Sequence, residues 1–169
     1  MDIIFRKSHP NDIPQIMEII TQAQEAFKQN GVDQWQNNYP NISIINADIE
    51  AETSYVITEN QTVIGTTVVS FNGEDSYNKI YNGQWLCNQR YAVVHRMAIN
   101  NQHKGLGYAS LMFKEIENLC FKNRVFSIKV DTHQQNITML KLLQKNGFIY
   151  CGTVLLEDNS ERMAYEKLI

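Results

Sequence analysis

Residues 91–120 constrain the chain more than any other stretch. They read Y-A-V-V-H-R-M-A-I, then N-N-Q-H-K, then G-L-G, then Y-A-S-L-M-F-K-E-I-E-N-L-C. The apolar, β-branched run predicts a strand over residues 91–99. Ala109, Met112, Phe113, Ile116, Leu119 and Cys120 recur at helical spacing, which predicts a helix from 105 to about 122. Two glycines one residue apart, Gly105 and Gly107, stand where this helix begins. Amide groups exposed by a glycine turn at a helix start form a ready anion site. The stretch is therefore expected to hold the phosphates of a nucleotide-like cofactor.

A chain of 169 residues supports one domain with a sizeable core, taken here as residues 1–169. A net charge of -3 argues against nucleic acid as a partner, because backbone-phosphate binding needs a concentrated basic surface. Cys87, Cys120 and Cys151 are odd in number and never at C-x-x-C spacing, so reduced thiols are expected. The opening M-D-I-I-F-R-K-S-H-P lacks an apolar signal core, and no run approaches the ~18 apolar residues of a membrane span. A cytoplasmic protein with no membrane partner is the expectation. His9, His95, His103 and His133 have no metal-ligand spacing, so no metal is expected.

The remaining elements follow from period and punctuation. Residues 3–5 suit a first strand. Ile13, Ile16, Met17, Ile20, Ala23 and Phe27 predict a helix to about Gln29, closed by Asn30-Gly31. Ile44, Ile45, Ala47 and Ile49 predict a short second helix. Residues 54–58 and 62–71 read as a hairpin about 59–61, in which Gly65 signals a bulge or a close backbone approach. Residues 72–82 are a polar loop. A strand over 125–131 and a helix over 136–146, with Ile137, Leu140 and Leu143 inward, come next. An antiparallel pair, 148–155 and 162–168, closes the chain. The order β-α-α-β-β-β-α-β-α-β-β predicts an α/β (α+β) fold. Its sheet is mixed and mostly antiparallel, with a central β-α-β unit and helices on both faces.

Two cofactor classes compete for the glycine turn. Gly105-x-Gly107, with Asp131 ending the next strand, partly matches a dinucleotide fingerprint. Against it, the third glycine is replaced by Ser110, and N-N-Q-H-K is too long for a tight strand-to-helix turn. Antiparallel segments also precede the unit. The other class is acyl-CoA. Gln102-His103-Lys104-Gly105-Leu106-Gly107 resembles the Q/R-x-x-G-x-G/A motif of the GNAT superfamily of acyl-CoA-dependent N-acetyltransferases. The run N-I-T-M-L-K-L-L-Q-K-N-G-F, from Asn136 to Phe148, resembles that family's second cofactor segment. The predicted element order agrees over essentially the whole chain.

The resemblance implies an acetyl-CoA site. Backbone amides of Lys104, Gly105, Leu106, Gly107 and Tyr108 would face the pyrophosphate, with Gln102 and His103 opening the loop. Met97, Ala98 and Ile99 would pair with the pantetheine arm, and Asn136 matches the family asparagine at the cofactor. The implied reaction is direct attack of a primary amine of a small molecule or peptide on the thioester. Many relatives place a glutamate on the central strand as base. Here that strand holds only His95, a side chain that titrates near neutrality. Asp131 and His133 are the alternatives, lying where ligands of α/β sheets gather. The family tyrosine that protonates the leaving thiolate falls at Leu143, which leaves Tyr108, Tyr150 or water for that step. Trp35, Tyr81, Trp85, Asp131 and His133 are the expected acceptor residues, an aromatic and partly acidic set suited to a cationic amine. An acyl-CoA-binding module without turnover is the alternative function. Exposed edge strands leave a homodimer open.

Overall fold

A computed structural model describes residues 2–169. Its elements are β1 (Ile3–Lys7), α1 (Ile13–Gln29), α2 (Ile42–Glu50), β2 (Ser54–Glu59), β3 (Thr62–Ser70), β4 (Ala92–Ile99), α3 (Tyr108–Lys122), β5 (Ser127–Thr132), α4 (Ile137–Lys145), β6 (Ile149–Leu155) and β7 (Glu161–Leu168). The strands are ordered β1-β2-β3-β4-β5-β7-β6. The pairs β1–β2, β2–β3, β5–β7 and β6–β7 are antiparallel, and β4–β5 is parallel across the α3 crossover. This is the mixed, mostly antiparallel fold that the periodicities predict. No helix among the described residues is long and apolar enough to cross a membrane.

The chain divides into two units. One comprises residues 1–69 and 96–115, the other residues 70–95 and 116–169, so β4 contributes to both. In the first unit, strand alternation decides which helix covers which face. Val56 and Val63 cluster with Ile16, Ile19 and Ile20 of α1, Ile45 of α2 and Ala98 of β4. Their sequence neighbours Ile57 and Ile64 point to the opposite face. There they meet Met112 of α3, together with Met97, Ile99 and Tyr108. Each such buried aliphatic contributes about 1.5–3 kcal/mol. The expected tight approach at Gly65 is present. A Cβ there would lie 2.6 Å from Ile99 Cδ1 and 2.8 Å from Ile57 Cγ2, and the β2–β3 register shifts after Ile57.

The second unit covers its sheet differently. The segment 72–91 lies over Val93, Val154 and Ala164 and buries Tyr77 against them, with Ile80, Trp85 and Tyr91 alongside. The backbones touch where this strap crosses β6. A Cβ on Gly83 would sit 1.9 Å from the Cys151 carbonyl oxygen, and one on Gly152 would sit 2.5 Å from that of Tyr81. Tyr81 and Thr153 exchange backbone hydrogen bonds of 2.8 Å.

Three expectations are corrected. The α3 helix begins at Tyr108 rather than 105, because Gly105 and Gly107 adopt φ of +79° and +90°, outside any right-handed helix. Ile137 does not face inward; it is 54% exposed in the first turn of α4, while Leu143 is fully buried. The β2–β3 turn is two residues, Asn60-Gln61, both at positive φ, with Glu59 inside the strand.

Candidate active site

The glycine loop belongs to the first unit. β4 ends at Ile99, and the Asn100 side chain accepts a hydrogen bond from Gln102 N at 3.0 Å, starting a 3-10 turn over Asn101–His103. Lys104 is extended, and the two left-handed glycines then reverse the chain into α3. A Cβ at either glycine would meet nothing within 4 Å. No neighbouring side chain therefore demands glycine here; the backbone conformation does. The loop borders open space at a helix start, where amides point outward. These features fit a diphosphate. Met97, Ala98 and Ile99, in the same unit, lie on the strand that feeds the loop.

A carboxylate stands beside this loop. Glu59 Oε1 accepts from the Tyr108 hydroxyl at 2.6 Å, and Glu59 Oε2 lies 3.5 Å from His103 Nε2. The hydrogen bond to Glu59 raises the Tyr108 phenol above its ordinary pKa, so that hydroxyl stays protonated. His103 Nδ1 is buried with no partner among the described residues.

On β4 itself, Arg96 has φ of +49°, a left-handed residue within a strand. Its guanidinium donates to both oxygens of Asp48, at 2.9 and 2.7 Å, and to the Tyr39 hydroxyl at 2.8 Å. The 33–40 loop that this anchors carries Trp35 half-buried, edge-on to Phe27 at 5.6 Å and against the first unit's core. Trp35 thus has a packing role.

His95 belongs to the second unit, two residues beyond Val93, where β4 pairs with Lys129 of β5. Its Nε2 lies 3.0 Å from Glu74 Oε2. The sequence reading missed Glu74, which sits in a polar loop outside any motif. The hydrogen bond from His95 holds the Glu74 carboxyl down to about 2, against burial that would raise it. The Tyr91 hydroxyl accepts from Glu74 N at 3.3 Å, and the Glu74 carboxylate caps the 3-10 turn Asp75–Tyr77.

Asp131 accepts from the buried Tyr77 hydroxyl at 2.6 Å. Burial, and then the Asp131 charge, push that phenol well above its usual range. Trp85 Nε1 donates to the Tyr77 carbonyl at 2.9 Å. Trp85 and Asp131 are thus brought together through Tyr77, and the Tyr77 ring lies 6.5 Å from that of His95. Tyr81 pairs with β6 and takes the Lys79 ammonium over its ring at 5.0 Å. His133 Nδ1 accepts from Gln135 N at 3.1 Å in the turn before α4. Asn136, 8% exposed, caps α4 through Met139 N at 3.1 Å.

The thiols are free. Burial raises the Cys120 thiol to about 12 and pushes Cys151 up as well, which disfavours the nucleophilic thiolate at both. Leu143, at the position of the family tyrosine, is fully buried and has no proton to give.

Residues 14–148 match the family model described as acetyltransferase (GNAT) family. Among solved structures, an acetyltransferase of the GNAT family from Streptococcus agalactiae 2603 is 36% identical. The match covers 99% of this chain and 95% of that one, with a TM-score of 0.88. A GNAT acetyltransferase from Listeria monocytogenes 4b F2365 has 19% identity and a TM-score of 0.74, over 99% of this chain and 95% of that one. The PaiA N-acetyltransferase from Thermoplasma acidophilum, solved with coenzyme A, has 14% identity and a TM-score of 0.73 over the full length of both chains. Among curated proteins none matches. With four-fifths of its length inside the family model and 36% identity to a GNAT acetyltransferase over 99% of its residues, the chain belongs to the GNAT family of acetyltransferases.

Proposed function

We propose that this protein transfers an acetyl group from acetyl-CoA to a primary amine, with His95 taking the proton that the amine must lose. The observation that carries the cofactor half is the Gly105-Leu106-Gly107 turn, left-handed at both glycines and open on its outer side. Amides from Lys104 to Tyr108 would hold the diphosphate, the Met97–Ile99 backbone the pantetheine arm, and Asn136 a further contact. The PaiA relative is solved with coenzyme A, which supports this choice of group. Bound acetyl-CoA would supply an activated thioester carbonyl.

The chain's own residues supply the acid–base chemistry. An ammonium has no lone pair, so a base must act before attack. His95, oriented by Glu74 at 3.0 Å, is that base. The glutamate that many relatives carry on the central strand is here split in two: a histidine on the strand and a carboxylate behind it. Leu143 removes the side-chain acid, and water protonates the departing thiolate. Trp85, Tyr81 and Asp131 form the acceptor-facing set.

The test is thiol release from acetyl-CoA across a panel of primary amines: alkyl amines, amino acids, aminoglycosides and peptide N-termini. At least one amine should raise CoA production well above the amine-free rate. Gly107→Trp should abolish both that activity and the rise in melting temperature with acetyl-CoA. If acetyl-CoA stabilises the protein while no amine increases thiol release, the protein is a CoA-binding module. If it does not stabilise the protein at all, the reading fails.

A further inference from the structure

We propose that Glu59 is a positioning residue for the cofactor, a clip that holds the phosphate loop closed from outside it. This inference rests on the acyl-CoA reading above. Glu59 ends β2 and lies in neither sequence motif. One carboxylate oxygen takes the hydroxyl of Tyr108, the first residue of α3, at 2.6 Å. The other faces Nε2 of His103, the last residue of the 3-10 turn, at 3.5 Å. A single side chain therefore ties down both ends of the Lys104-Gly105-Leu106-Gly107 span. That span includes two glycines, the residues that lose most conformational freedom on ordering. Glu59 is the polar contact that fixes the His103 ring, since the other ring nitrogen is buried without a partner among the described residues. Glu59 and His103 side chains are only 20% and 21% exposed, so the clip is shielded from bulk water.

Charge alone argues the other way. A carboxylate beside a diphosphate repels it, so a bystander Glu59 would weaken binding and its removal would tighten it. A clip that preorganises the loop does the opposite, because ordering the glycine span would then fall on the binding step. The sign of the effect on CoA affinity distinguishes the two.

The experiment is CoA titration by calorimetry at fixed pH and ionic strength, on wild type, Glu59→Ala, Glu59→Gln, Tyr108→Phe and the Glu59→Ala/Tyr108→Phe double variant. Glu59→Ala is expected to bind CoA about tenfold more weakly, the size of one charge-assisted hydrogen bond. Glu59→Gln keeps an acceptor for Tyr108 and should recover part of that loss. Tyr108→Phe should weaken binding several-fold, and the double variant should be no weaker than Glu59→Ala, because Glu59→Ala already breaks the link to Tyr108. Unchanged or tighter binding by Glu59→Ala overturns the proposal, and so do additive losses in the double variant. Should Glu59→Ala fail to fold, Tyr108→Phe decides alone, and an unchanged affinity sinks the clip. Absence of CoA binding by wild type would instead reject the acyl-CoA reading, and the clip with it.

Discussion

Glu74 and His95 are 21 positions apart and share one hydrogen bond of 3.0 Å. The base must be neutral to accept a proton, so kcat/KM should rise with pH along an acid limb. Glu74→Gln should loosen the orientation of the His95 ring and reduce kcat about ten- to a hundredfold, while leaving acetyl-CoA affinity unchanged. His95→Ala should abolish the limb; an unaltered pH–rate profile in that variant would remove His95 as the base. Stability should also rise with pH, over a more acid range. The Glu74 carboxyl is held at about 2, below its ordinary 4.5, so its contribution is complete above about 4.5 and lost as pH falls toward 2. Of this pair, only His95 was legible in the sequence, as the one side chain near neutrality on an apolar strand. Glu74 lies in N-G-E-D-S-Y, a polar run indistinguishable from any solvated loop until the strap folds over the strand.

That strap is the element least visible in the sequence. Periodicity and short apolar runs found the α-helices and strands, because each buries apolar side chains at regular spacing. The segment 72–91 has no such period. It is held by buried polar side chains reaching up from the sheet. Glu166, fully buried, accepts from Ser127 Oγ at 2.6 Å, Leu86 N at 2.5 Å and Cys87 Sγ at 3.3 Å. Lys129, 3% exposed, places its ammonium 4.2 and 4.0 Å from the Trp85 and Tyr91 ring centres. Burial lowers the Lys129 pKa, while the charge of Glu166 counters it. No sequence period reports such anchors, because each one pairs residues far apart in the chain. Gly83 of the strap is equally silent in sequence, yet it admits the backbone contact with β6. Gly83→Ala would force a Cβ to 1.9 Å from a carbonyl oxygen. It should cost about 2–4 kcal/mol, seen as a lower urea midpoint with an unchanged m-value. Gly31→Ala is the contrasting control. Nothing lies within 4 Å of its Cβ, so only the strain of φ +65° applies and the cost should be about 1 kcal/mol.

At the scale of the molecule, the two contact units share β4, whose residues 92–95 fall in one and 96–99 in the other. We propose that the chain nevertheless behaves as one domain. Melting only one unit would require fraying a strand in mid-length and exposing Val93 and Val94 or Ala98, all 9% exposed or less. Each unit holds one tryptophan, Trp35 in the first and Trp85 in the second. Trp35→Phe and Trp85→Phe therefore give single-tryptophan proteins whose fluorescence reports one unit apiece. The two urea transitions should coincide with each other and with the circular dichroism of the same protein, as a two-state domain requires. Saturating acetyl-CoA should then move both reporters together, by ~2.7 kcal/mol at a hundred times Kd. If only the Trp35 signal shifted, the glycine loop would be stabilising its own unit alone and the one-domain reading would fall. If neither shifted while calorimetry recorded binding, binding and folding would be uncoupled, which linkage forbids for a ligand specific to the native state.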